Sequence, residues 1–199
     1  EPVHQWDDKP VSFPDFATID INGNPIFVQK PGMGDFASDQ YWMNQLDPGW
    51  QDFLITQTKE MVDMGIEGIL IDESTFNVQV ISLAGGTFDK ISVTKFPEYL
   101  KNKYSTEQLL TYFQIEDINA FDLVDHIKTK LPSDWNTQRP PLPLIYEFKQ
   151  FQLVETDKFY RNFYNQLKQY GEEQGRHIFF DITGGDYEWQ RLPTDYLDD

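Results

Sequence analysis

GIEGILIDEST, residues 65–75, decides the fold prediction, because a glycine opens an apolar run that ends on two adjacent carboxylates. A continuous apolar run that follows a predicted helix is typical of a strand buried on both faces, as in a parallel sheet. A second run of this kind, HIFFDITGG at residues 177–185, follows another predicted helix and includes Asp181. A helix followed by a buried strand is the repeating step of α/β proteins.

The two predicted strands favour an α/β fold of the (β/α)8 TIM-barrel type. A closed eight-stranded barrel needs about 250 residues, and this chain has 199. We therefore predict one incomplete barrel domain over residues 1–199, covering about the third to fifth strands, with a helical excursion at about 76–140. The chain starts at Glu1 without Met, which indicates a processed product or a segment of a longer chain.

Helix signals surround the first strand. In DPGWQDFLITQTKEMVDMG, residues 47–65, Asp47 is a good N-cap, Pro48 suits the first helical position and Gly65 suits the C-terminal stop. The residues that fall on one mostly apolar helical face are Trp50, Phe53, Leu54, Gln57, Met61 and Met64.

The remaining segments alternate between loops and helices. We predict an aromatic-rich loop over residues 1–46, with a turn at Asn22-Gly23. Residues 76–92 contain LAGGTFDK, which indicates a glycine-marked loop. Short helices are predicted within 96–104, 105–113 and 118–131, and a long helix within 144–175. The clearest apolar stripe of the long helix consists of Phe159, Phe163, Leu167 and Tyr170.

Composition narrows the classes of partner. A net charge of −17 repels phosphate backbones and anionic membranes, so it disfavours nucleic acid. No apolar run reaches the length of a membrane span. The absence of cysteine rules out disulfides and thiolate metal sites, and it favours a secreted or periplasmic location over the cytoplasm. The aromatic content of 16% suits stacking on sugar faces, although core packing accounts for most of these rings.

The acids at the predicted strand ends are the candidate catalytic groups. Side chains alternate along a strand, so Glu73 shares a face with Ile71, and Asp72 shares the opposite face with Leu70. A glycosidase needs one carboxyl group as proton donor and another as nucleophile or base. The competing interpretation is structural, because carboxylates that end strands often cap the next helix.

The order of motifs resembles that of clan A glycoside hydrolases, most closely the family 42 β-galactosidases and their uncharacterised relatives. The resemblance covers roughly residues 15–185. Its motifs are Asp20-Ile21-Asn22-Gly23, Asp47-Pro48, Ile71-Asp72-Glu73, Gly85-Gly86-Thr87-Phe88, KFPEYLKNKY, YEFKQFQ and HIFFDITGG.

The resemblance implies a retaining two-carboxylate mechanism with Glu73 as general acid/base. Asp72 stands where the family has Asn; it is either a substrate-binding neighbour or, if the strand parity is reversed, the catalytic group itself. The nucleophile of the family lies on a later strand that nothing in this chain matches. The metal-binding cysteines of the family are missing, so we expect no zinc site and no cofactor. Substrate-binding candidates are Trp6, Trp42, Phe76, Asn77, Asp181 and Tyr187.

Three functions compete at this point. The first is hydrolysis of glycosidic bonds in an oligo- or polysaccharide, and the second is non-catalytic carbohydrate binding on a degenerate barrel. The third is an interaction domain whose helical excursion forms homo-oligomer contacts. Two other groups of residues have structural interpretations. Glu147 lies near the start of the long helix, where its negative charge interacts favourably with the helix dipole. His4, His126 and His177 lack the spacing that is typical of metal ligands.

Overall fold

The computed structural model of the protein describes residues 4–6, 9–11, 13–27, 40–72, 74–130, 135 and 142–182. Its elements in chain order are β1 (His4–Trp6), β2 (Lys9–Val11), a 3₁₀ turn (Phe13–Phe16), α1 (Pro48–Asp63), β3 (Gly68–Ile71), α2 (Phe76–Ala84), α3 (Lys90–Lys103), α4 (Thr106–Phe113), α5 (Leu123–Lys130), α6 (Pro143–Glu173) and β4 (Phe179–Ile182).

The chain divides into two compact units. The first unit comprises Glu1–Phe16, Asn44–Phe76 and Leu153–Asp199, and the second comprises Ala17–Met43 and Asn77–Gln152. Helix α6 therefore contributes its first ten residues to the second unit and the remainder to the first.

The barrel prediction is wrong for the described residues. They contain one parallel pair, β3 with β4, and one antiparallel hairpin, β1 with β2. Six helices make up most of the rest, and five of them, α2 to α6, lie between β3 and β4 in the chain. The described chain between these two strands thus forms helices instead of the further parallel strands that a barrel needs.

The prediction that both strands are buried on two faces is also wrong. Ile69 and Ile71 of β3 pack against the same core as Phe180 and Ile182 of β4. The other face exposes Leu70, at 59%, and Phe179, at 56%. In the described first unit, helices α1 and α6 supply the apolar partners of the buried face. We call the exposed side the open face; it comprises Gly68, Leu70, Asp72, Phe179 and Asp181.

Helix α1 begins and ends where its sequence predicted. Pro48 is its first residue, and the Asp47 carboxylate accepts a hydrogen bond of 2.8 Å from the backbone N–H of Gly49. Gly65 follows the helix with φ +100°, a conformation in which a side chain would be strained. The α1 cap and stop signals are therefore confirmed.

The mostly apolar face of α1 that the sequence shows is only partly buried, with Leu54 packed against the core. Met61 and Met64 are 46% and 77% exposed, whereas Ile55, Thr58 and Val62 form the buried ridge. These three positions also have helical spacing, but a threonine in the middle weakens their apolar pattern. The Thr58 hydroxyl is satisfied inside the helix, because it donates to the Leu54 carbonyl at 2.7 Å.

Helix α2 was not predicted, because the glycines at 85 and 86 made LAGGTFDK, a loop signal, the clearest feature of residues 76–92. Asp89 caps α3 by accepting from Ser92 N at 2.9 Å, so this helix begins earlier than predicted and contains Pro97. The predicted capping box of α4 is confirmed, since Ser105 and Gln108 exchange side-chain to backbone hydrogen bonds.

The core of the second unit is a cluster of stacked aromatic rings. The Phe148 ring stacks on Phe88 at 5.8 Å and on Phe151 at 6.0 Å, and it meets the edge of Phe96 at 5.0 Å. Beside it, the Gln152 amide donates to Ser92 Oγ at 2.9 Å and accepts from Asn77 Nδ2 at 2.8 Å. These three buried polar side chains thus satisfy one another.

Candidate active site

Two acidic side chains lie near the C-terminal ends of the parallel pair. Asp181 is opposite Leu70 in the strand register, and Asp72 follows β3 directly; both are exposed. Alternation along the strand places Asp72 on the same face as Leu70 and Asp181. A strand spacing of about 4.8 Å and a rise of about 3.3 Å per residue put the two aspartate Cα atoms about 8 Å apart. The first unit therefore brings two predicted site residues to one face.

An exposed aromatic ring accompanies these acids. Phe179 is opposite Gly68 in the register, and a Cβ placed on Gly68 would meet no atom within 4 Å. The Phe179 ring makes an edge contact with His177, with the ring centroids 4.6 Å apart. Asp181 is oriented locally, because its Oδ1 accepts a hydrogen bond of 2.8 Å from Ile182 N. The open face thus offers a flat ring beside carboxylate acceptors.

Several predicted residues lie outside the described part of the chain or only partly within it. Glu73 and Tyr187 are not among the described residues, and of Trp6 only the backbone, in β1, is described. The prediction for Glu73 as acid/base therefore stays a prediction.

The other predicted substrate-binding residues lie in packed surroundings. Trp42 is 6% exposed, and its backbone carbonyl accepts from Thr18 N at 2.7 Å. Asn77 is fully buried, and its amide donates to Gln152. Phe76, the first residue of α2, is half-buried. For Trp42 and Asn77 the geometry favours a packing role.

Sequence reasoning missed a buried amide that holds the segment after β3. Gln45 is 2% exposed, and its Nε2 donates to the Ser74 carbonyl at 2.7 Å and to the Tyr160 hydroxyl at 3.0 Å. The backbone carbonyl of Gln45 accepts from Gln51 Nε2 at 2.7 Å. Tyr160 lies 115 positions after Gln45 in the chain, and no local sequence pattern signals a hydrogen bond over such a distance. Phe179 was missed because it was assigned to a strand buried on both faces.

Glu147 belongs to an ion pair in the second unit. The Lys103 ammonium lies 2.6 Å from Glu147 Oε2 and 5.3 Å from the centre of the Tyr99 ring. Burial by itself would lower the pKa of Lys103, but hydrogen bonds to Glu147 and Tyr99 raise it above the ordinary value. Tyr99 also donates to the carboxylate at 3.2 Å. The cluster is a structural tie between α3 and α6.

We expect Lys103→Gln to be more destabilising than Glu147→Gln. The Glu147 side chain is 9% exposed and the Lys103 side chain 41%. Loss of the lysine leaves a buried carboxylate without its cation. We expect this to lower the free energy of unfolding by about 2 kcal/mol, a figure discounted because water reaches the lysine. Loss of the carboxylate leaves a lysine that water can solvate, so we expect the free energy of unfolding to fall by only about 1 kcal/mol. Urea denaturation measures both.

The control for this pair is Lys101→Gln, in the same helix. Lys101 lies 3.7 Å from Glu98, and their side chains are 36% and 69% exposed. A pair of this kind contributes about 0.5 kcal/mol or less. A Glu147 variant that is less stable than the Lys103 variant would contradict the argument.

The described histidines give no sign of a metal centre. Burial and the nearby Lys130 lower the pKa of His126, whose ring meets the edge of Phe121 at 5.4 Å. Across the described ranges, no three His, Asp or Glu side chains converge as a metal-binding group. None of the described helices is long and apolar enough to cross a bilayer.

Comparison with protein-family models, with curated proteins and with solved structures gave no match to this chain. The likeness to glycosidases therefore depends on the order of the sequence motifs alone.

Proposed function

We propose that the protein is a glycoside hydrolase that cleaves glycosidic bonds of an oligo- or polysaccharide on the open face. The observation that carries the proposal is the position of Asp72 and Asp181 on one face, near the C-terminal ends of adjacent parallel strands. Cα atoms about 8 Å apart on one face allow the carboxyl groups to lie about 5–5.5 Å apart, as in retaining glycosidases, or about 6.5–9.5 Å apart, as in inverting ones.

The chemistry divides between the two carboxyl groups. Asp72 donates a proton to the glycosidic oxygen as the bond to the anomeric carbon breaks. Asp181 attacks that carbon or takes a proton from the attacking water, and water supplies the new hydroxyl. The hydrogen bond from Ile182 N to Asp181 Oδ1 orients the second group. The resemblance instead assigns the proton donor to Glu73.

The surroundings of the pair support a neutral or cationic sugar. Phe179 presents an exposed ring, and the glycine opposite it leaves the space beside that ring open. Aromatic rings present a flat apolar surface on which a sugar ring can stack. The net charge of −17 disfavours polyanionic sugars.

A second candidate is carbohydrate binding without catalysis. The exposed Phe179 ring also favours this function, because a sugar can stack on the ring without the pair of carboxyl groups that hydrolysis needs. A panel of aryl glycosides, assayed for turnover, with oligosaccharide binding measured by calorimetry, separates the two functions. Turnover supports the hydrolase, and binding without turnover supports the second candidate. The absence of both turnover and binding with every neutral or cationic glycan tested would contradict both functions.

We expect Phe179→Ala to weaken oligosaccharide binding about tenfold, or about 1.4 kcal/mol, because the variant loses the stacking surface. Calorimetric titration measures the affinity. Tyr146→Ala is the control, since Tyr146 is a similarly exposed aromatic residue, at 55%, in the second unit. Equal affinity of the Phe179 variant and the wild type would remove Phe179 from the site.

A further inference from the structure

We propose that Gln45 is a positioning residue for the segment that carries Asp72; this inference rests on the proposed function. Its amide is buried and donates to two acceptors, the Ser74 carbonyl at 2.7 Å and the Tyr160 hydroxyl at 3.0 Å. Ser74 lies two residues after Asp72, so the bond fixes where the chain goes as it leaves β3. An acid that must meet a glycosidic oxygen depends on such support.

The far end of this support is buried in the apolar core. Tyr160 is 3% exposed and belongs to the apolar core of the first unit, together with Phe163 and Phe180. The near end is buried as well, because Ser74 and Thr75 are fully shielded from water. A carbonyl held between a buried amide and a packed core cannot move without leaving polar groups unpaired.

The chemistry of residue 45 explains why an amide is required. A glutamine offers two N–H donors on one nitrogen, and both acceptors here use Nε2. A methionine of similar length fills the volume but donates nothing. A glutamate carboxylate would place acceptor oxygens against the Ser74 carbonyl.

The test compares Gln45→Met with a matched variant, Gln152→Met. Gln152 is also a buried amide with two side-chain partners, Ser92 and Asn77, but it lies in the second unit. With rates normalised to the folded fraction, we expect Gln45→Met to lower kcat about tenfold with KM nearly unchanged. Gln152→Met should keep kcat within about twofold of the wild type, because it leaves the segment after β3 in place.

Hydrogen exchange gives a readout apart from activity. The amides of residues 74–76 should exchange faster in Gln45→Met and at the wild-type rate in Gln152→Met. An active wild type with an unimpaired Gln45→Met, or equal losses of kcat in both variants, overturns the inference and leaves the proposed function standing. A wild type without turnover on any glycoside overturns the proposed function and this inference with it.

Discussion

Asp72→Asn should hydrolyse a good glycoside about 10²- to 10⁴-fold more slowly than the wild type, with affinity largely retained. The amide cannot supply the proton that the leaving oxygen needs, and general acid catalysis contributes a factor of this size. The amide keeps the size and hydrogen-bonding capacity of the side chain, so binding should survive. Steady-state kinetics on aryl glycosides and calorimetry on the variant measure the two effects separately.

Two further variants make this result specific. Asp52→Asn removes an exposed carboxylate from α1 in the same unit and should leave the rate unchanged. Glu73→Gln tests the assignment that the glycosidase resemblance implies. A large loss with Glu73→Gln and none with Asp72→Asn would transfer the proton-donor role to Glu73. Wild-type rates in both variants would contradict a catalytic role at the end of β3.

Local signals in the sequence predicted local structure correctly. The N-cap at Asp47, the capping box at Ser105 and the glycine stop at Gly65 each depend on neighbours within four residues, and all three are present. The stripe of the long helix was mostly right, since Phe159, Phe163 and Leu167 are buried. Such features follow from backbone hydrogen bonding at helix ends and from helical periodicity.

The larger errors of the sequence-based prediction concern features that tertiary contacts determine, namely which strand faces are buried and how many strands pair. Continuous apolar strands predicted a sheet covered on two sides, but the described helices cover the side of Ile69 and Phe180 and leave Leu70 and Phe179 exposed. The number of strands follows from which segments pair, and apolar runs do not encode that pairing.

The site was predictable only in part. Strand alternation gave two alternatives for the acids, and the burial of Ile69 and Ile71 against the core places Leu70 and Asp72 on the other face. The role of Gln45 depends on Tyr160, 115 positions away, so no spacing rule reveals it. Asn77 was a substrate-binding candidate, but its amide is used by the buried hydrogen bond to Gln152.

Phe148→Ala should lower the free energy of unfolding by about 3–5 kcal/mol, the usual cost of removing a fully buried phenylalanine. Phe148 is 0% exposed and contacts three other phenylalanine rings, Phe88, Phe96 and Phe151. Alanine removes the apolar area and leaves a cavity, and the contacts among aromatic rings are lost as well. Urea denaturation followed by circular dichroism measures the loss.

The control lies two residues away in the same helix. Tyr146 is 55% exposed, so Tyr146→Ala should change stability by about 0.5 kcal/mol or less. Alanine suits a helix at both positions, so the difference between the variants reports packing and not helix propensity. Similar small losses in both would mean that the four rings do not pack as a core, and α6 would then need another means of attachment to α3.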